Sequence, residues 1–139
     1  MASVFVSFDW DNDRRYKHLL EAWNKHPQFR FTFRDETPGE IDTNNVARIK
    51  AGLTTKINAA THTLVIVGKY ANAPHAKRHL IGFTNWIDFE IHQSKLARNR
   101  IVAIKLDRTF ESPEELQGAG ASWAMAFTED AIVRALAAA

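Results

Sequence analysis

Hydrophobic positions along this chain switch between two periods. Val4-Phe5-Val6 is a short apolar run that reads as a buried strand; it gives way to Ser7-Phe8-Asp9-Trp10-Asp11-Asn12-Asp13, rich in helix-capping residues. Tyr16, Leu19, Leu20 and Trp23 recur at i, i+3, i+4 and i+7, the spacing of a helix with one covered face, until His26-Pro27 ends it. Phe29, Phe31 and Phe33 alternate with Arg30 and Thr32, and that period of two predicts a strand with one covered and one wetter face, as at a sheet edge. Arg34 to Asn44 is a long loop carrying Pro38-Gly39, of a length that often has a function. Thr43 or Asn44 is expected to cap the next helix, whose apolar stripe is Val46, Ile49, Leu53, Ile57 and Ala60.

Thr63 to Val67 is a continuous β-branched and apolar run, the pattern of a strand buried on both faces, and Gly68 ends it. Lys69 to Phe83 is a basic, turn-like connection bearing His75, Lys77, Arg78 and His79. A helix with Trp86 and Glu90 follows and runs to about Arg98; Ile101 to Leu106 is a further buried strand, and Asp107 to Gln117 a loop with Pro113. Ala121 to Phe127 reads as a short fifth strand or an extended segment, with Trp123 in the core. Thr128 caps a last helix that turns Ile132, Ala135 and Leu136 inward.

Strands alternating with helices predict an α/β fold with a four- or five-stranded parallel sheet, right-handed crossovers and helices on both faces. The expected strand order is 2-1-3-4-5, in one domain spanning residues 1–139. Ligands in such sheets sit beyond the carboxyl ends of the strands. There the loops 8–13, 34–44, 69–83 and 107–117 converge.

Composition narrows the function. A chain of 139 residues with 45% hydrophobic content fills one core. Its 18 basic and 16 acidic residues give a net charge of +2 without a Lys/Arg run, which disfavours nucleic acid as a partner. There is no cysteine, which removes disulfides, thiolate metal sites and a Cys nucleophile and suits the cytoplasm. No apolar run is long enough for a membrane span, and the first residues lack the pattern of a signal peptide, so no membrane association is expected.

Several chemistries fail on particular residues. A phospho-accepting receiver needs an Asp at the end of strand 3, where this chain has Val67-Gly68-Lys69. A flavodoxin needs a Ser/Thr/Gly-rich first loop, and Phe8-Asp9-Trp10-Asp11 is acidic and bulky. There is no dinucleotide glycine fingerprint, P-loop or nucleophile elbow. His75 and His79 stand at i, i+4, but without a nearby carboxylate they suit contact with phosphates, or plain solvation, better than a metal. Among Asp9, Asp11 and Asp13, at least one is expected to serve as a helix N-cap.

Glu90 remains. Trp86 and Glu90, four residues apart, share one helix face, and Glu90 is either a solvated flank residue or an acid at the cleft mouth. One carboxylate there suits cleavage of an N-glycosidic bond to a cationic leaving group. A pyridinium departs as a neutral base, so no general acid is required, whereas ordinary glycosidases need a second carboxyl for that proton.

Val4-Phe5-Val6-Ser7-Phe8 with the acidic turn after it, Leu64-Val65-Ile66-Val67-Gly68, Trp86-Ile87-Asp88-Phe89-Glu90-Ile91 and Gly120 to Phe127 together resemble bacterial TIR-like domains, and within them the TIR subunits of the Thoeris antiphage system. The resemblance covers nearly the whole chain. It implies a flavodoxin-like TIR fold, with NAD+ as the substrate, no separate cofactor and no metal. The reaction would be cleavage at the nicotinamide–ribose bond to a cyclic or conjugated ADP-ribose signal for a downstream effector. It places the catalytic role on Glu90 and pocket roles on Trp86, Ser7, Phe8 and Asp9, with Asp35 from the loop after strand 2. The 71–84 connection departs from the pattern by being longer and more basic. A non-catalytic module acting by assembly is the alternative. Asp35, Glu36, Glu40 and Asp42 on one loop and Lys69, Lys77, Arg78 and His79 on another would support weak, salt-sensitive homo-oligomers, or gate the pocket within one molecule.

Overall fold

Strand β1 (Ala2–Ser7) lies near the middle of the sheet because both of its faces are apolar. In the computed structural model, which describes residues 1–39 and 43–139, Val4, Phe5 and Val6 are at most 2% exposed. It is flanked by β2 (Phe33–Asp35) and β3 (His62–Val67); β4 (Arg100–Lys105) and β5 (Ser122–Ala124) complete a five-stranded sheet. The order is β2-β1-β3-β4-β5 and every pairing is parallel, so the predicted flavodoxin-like topology is the observed one. The choice between four and five strands falls on five.

Side-chain alternation assigns the layers. Val4, Val6, Leu64, Ile66, Val102 and Ile104 face Leu20 of α1 (Arg14–Lys25) and Ile132 and Leu136 of α5 (Glu129–Ala138). The opposite face packs Phe5 against Leu53 and Ile57 of α2 (Val46–Ala59). There too Val65, Val67, Ile101 and Ala103 meet Ile87 and Ile91 of α4 (Trp86–Leu96). The 69–83 connection carries one short helix, α3 (Arg78–Ile81), closed by Gly82 at φ 83°, a left-handed value that glycine adopts without strain. No helix among the described residues is long and apolar enough to cross a membrane.

Several local expectations are corrected. β2 is a three-residue edge strand, and Phe29, just after a turn, and Phe31, in a bend, precede it outside any strand. The Asn24 side chain of α1 pairs with the backbone of Phe33 at both N–H (3.0 Å) and C=O (2.8 Å). Phe29 is nevertheless buried edge-on to Phe33, so the aromatic alternation reports burial rather than strand. Arg34 and Asp35 belong to β2, so the loop begins two residues later than expected, at Glu36. Asn45, rather than Thr43 or Asn44, caps α2 by accepting from Arg48 N–H at 3.1 Å. Trp123 is 42% exposed because β5 is a short edge strand, not a core strand. In α1, Leu19 is 41% exposed while Lys17 is buried. Thr128 caps α5 as expected, accepting from Ala131 N–H.

Candidate active site

Helix α4 is placed by Asn85. Its Oδ1 accepts from Asp88 N–H at 3.0 Å and starts the helix, while its Nδ2 donates to Ala71 O (2.8 Å) and Ala73 O (3.1 Å). One side chain thus sets both the helix start and the connection after β3. The next turn of α4 buries Ile87, Asp88, Phe89, Glu90 and Ile91 together.

Glu90 is 8% exposed. Ser7, the last residue of β1 and fully buried, donates its hydroxyl to Glu90 Oε1 at 2.5 Å, and among the described residues it is the carboxyl's hydrogen-bond partner. Burial pushes the Glu90 carboxyl up to about 8, and the Ser7 hydroxyl opposes that rise by bonding the charged form. Burial thus favours the protonated acid in the ligand-free protein. A cation set beside it favours the anion.

A cleft of about 360 Å³ opens on the same side, lined by Phe8, Asp9, Trp10, Tyr70, His75 and Trp86, with Ile87 also on its wall. Phe8 and Trp10 lie 4.7 Å apart between ring centroids; Trp86 meets Phe89 edge-on at 5.5 Å and His75 at 6.5 Å. Glu90 is one turn beyond Trp86 and Ile87 on the same helix, and Ser7 precedes Phe8, so the Ser7–Glu90 pair stands behind this aromatic lining. Phe8, Asp9 and Trp86 line the cleft, while Ser7 and Glu90, bonded to each other, do not line it and adjoin it through Phe8 and the Trp86 turn.

Asp9 organises its own loop: Oδ1 accepts from Asp11 N–H (3.0 Å) and Oδ2 from Asn12 Nδ2 (2.7 Å). Asp13 takes the N-cap position of α1, as expected of one of these residues, but its side chain makes no capping bond. Its Oδ2 is buried without a hydrogen-bond partner among the described residues. Burial first, then the Asp9 charge, push its carboxyl up to about 6. It rests against Gly68, where a Cβ would lie 2.0 Å from Oδ2; the strand-ending glycine is required by this contact.

Asp35 stands apart from this group. Its Oδ2 accepts from buried Lys17 at 2.7 Å and its Oδ1 from Thr37 N–H at 2.9 Å, in a groove of about 400 Å³ that meets the cleft at Trp10. Thr37 Oγ1 in turn accepts from Val6 N–H at 2.8 Å, which lays the start of the 36–44 loop over the end of β1. Lys77 Nζ donates to Asn44 O at 3.4 Å, joining the β2 and β3 loops within one molecule. Glu40 and Asp42, named for the acidic loop, lie outside the described residues.

Lys17, Thr37 and the dual role of Asn85 escaped sequence reading. Asn85 alone had a signal, an amide residue just before a helical run. Glu90 lines neither the aromatic cleft nor a more open groove of about 580 Å³ bounded by Arg78, His79, Phe83, Thr84, Asp88 and Glu114. The groove's one deeply buried acid, Asp88, is tied to the Glu115 N–H at 3.3 Å, whereas the cleft wall holds Phe8, next to Ser7, and Trp86, one turn from Glu90. Among the described residues no group of three or more His, Asp or Glu is placed to hold a metal.

The family model for the TIR-like domain of Thoeris protein ThsB matches residues 5–110, a span that includes Ser7, Asp35, Trp86 and Glu90. Among solved structures, the Clostridium botulinum CMP N-glycosidase BcmB is similar, with a TM-score of 0.58 and 9% identity over 98% of each chain, a likeness of fold. No curated protein sequence matches the chain.

Proposed function

Because the chain belongs to the family of the TIR-like domain of Thoeris protein ThsB, we propose that it cleaves NAD+ at the nicotinamide–ribose bond to make an ADP-ribose-derived immune signal. The observation that carries this reading is the buried Glu90 carboxyl, bonded to Ser7 at 2.5 Å behind an aromatic cleft.

Phe8, Trp10 and Trp86 offer flat apolar faces to a pyridinium ring. Asp9 adds negative charge on the same side. The substrate's positive charge favours the ionised form of Glu90, which then faces the developing ribosyl cation. The C1′–N bond breaks, its electron pair passes to the ring nitrogen, and nicotinamide leaves neutral without needing a proton. An incoming hydroxyl bonds C1′ and gives up its proton to the ionised Glu90; an incoming ring nitrogen bonds C1′ through its lone pair and has no proton to give up. The solved structure of similar fold is titled an N-glycosidase, and the bond proposed here is of that class. Substitution Glu90→Gln tests the assignment through nicotinamide release. The reading also places the protein in the cytoplasm, with a downstream effector reached through the product.

A second reading, assembly without chemistry, is favoured by the exposure of Trp123 (42%) and Met125 (56%) beside edge strand β5. Concentration-dependent sedimentation without nicotinamide release would select it.

A further inference from the structure

Two polar side chains of the aromatic cleft, Asn85 and Asp9, are satisfied inside the protein. Asn85 directs both amide hydrogens to Ala71 O and Ala73 O and its oxygen to Asp88 N–H, and Asp9 uses both oxygens within its own loop. His75 differs. Its backbone N–H donates to Thr84 O at 2.8 Å, and its Nδ1 accepts from Lys77 N–H at 2.9 Å. A backbone N–H only donates, so Nδ1 holds a lone pair and the neutral ring carries its proton on Nε2. Among the described residues Nε2 has no hydrogen-bond partner. The ring is held by these two backbone bonds and by the edge-on contact with Trp86 at 6.5 Å, and it forms part of the cleft wall.

We propose that His75 Nε2–H is a specificity-determining donor that binds the exocyclic carbonyl of the leaving pyridinium ring, here the carboxamide oxygen of nicotinamide. The inference rests on the NAD+ reading above and extends it from the ribose to the base. Two features favour a ring carbonyl over a phosphate as the acceptor. The walls beside His75 are aromatic, which suits a flat ring presenting its edge to the imidazole. Asp9 and Asp11 line the same cleft, and their charge repels a phosphate while attracting a pyridinium.

The test compares NAD+ with its pyridine analogue lacking the carboxamide, and free nicotinamide with pyridine, the latter by backbone-amide chemical shifts of the labelled protein. Asn at position 75 places an acceptor where Nδ1 stands and keeps the Lys77 contact; Gln places an amide N–H near Nε2. A neutral hydrogen bond predicts that wild type favours the carboxamide ligands about tenfold, that His75→Asn loses this preference, and that His75→Gln restores part of it. The carboxamide preference surviving in a folded His75→Asn protein, or being absent from wild type, overturns the proposal. The two readings fail separately. Ring discrimination in binding without turnover of NAD+ removes the catalytic reading only, and turnover without discrimination removes this one only.

Discussion

The hydroxyl of Ser7 reaches the Glu90 carboxyl at 2.5 Å across 83 residues of sequence, and both groups are buried. This bond favours the ionised acid against the burial that raises it to about 8. Ser7→Ala removes the opposing effect, so the Glu90 carboxyl moves further up. In the profile of kcat/KM against pH, which reports groups of the free enzyme, activity rises with pH as Glu90 ionises. The inflection near 8 is expected to move to higher pH in Ser7→Ala, with about a tenfold loss at pH 7. An unmoved inflection would separate Ser7 from the acid's function.

Glu90 also has a cost for the fold, with a definite sign. Its folded value, about 8, lies above the ordinary 4.5, so between these the folded state holds a proton that the unfolded chain has lost. Stability is full below about 4.5 and falls as pH rises towards 8, by up to about 1.4 kcal/mol per pH unit. Asp13, raised from 3.8 to about 6, acts in the same direction over a lower window. Glu90→Gln is therefore expected to melt higher than wild type at pH 8, with the difference shrinking at pH 5. Thermal unfolding at the two pH values checks this.

The contact between Gly68 and Asp13 predicts a rescue. In Gly68→Ala the new methyl meets the Asp13 carboxylate head-on, a clash worth about 1–3 kcal/mol. Pairing it with Asp13→Ala removes the obstacle together with an unpaired buried oxygen. The double variant should be more stable than Gly68→Ala alone in urea unfolding, and additive losses would count against the contact.

Lys17 ties α1 to the end of β2 through Asp35 and Glu21, each at 2.7 Å. The lysine is buried, but both acids keep partial access to water, so their release is mild. Lys17→Met, which keeps the apolar stem, should cost about 1–2 kcal/mol. Because Asp35 also accepts from Thr37 N–H, hydrogen exchange should rise first at the Thr37 and Val6 amides. Protection unchanged at both amides would show that Lys17 does not anchor the loop.

Much of this was legible in the sequence because the buried strands are apolar on both faces and the helices carry clear stripes. Val4 to Val6 and Thr63 to Val67 fixed the sheet centre, and from that centre the strand order follows. The spacing of Trp86 and Glu90 placed them on one helix face. Helix periodicity carries no information about what approaches that face from another element, so the Ser7 bond became visible only with the β1–β3 register. Phe29 and Phe31 misled because aromatic alternation reports burial, and here turns achieve it while Asn24 pairs with Phe33. Lys17 was hidden because a charged residue on a helix reads as solvated, and its burial depends on Asp35, which lies 18 residues away. Asp35 itself, expected near Glu90, is held on the other side of Trp10 by that pairing.

The central claim is that the Glu90 carboxylate stabilises the charge that develops as nicotinamide leaves. The direct measurement is nicotinamide release from NAD+ by wild type and Glu90→Gln at equal concentration and at a pH above 8, with folding checked by circular dichroism. Loss of one electrostatic stabiliser predicts a drop of about 100- to 1000-fold with the fold retained. A well-folded Glu90→Gln protein that releases nicotinamide at the wild-type rate would contradict the account.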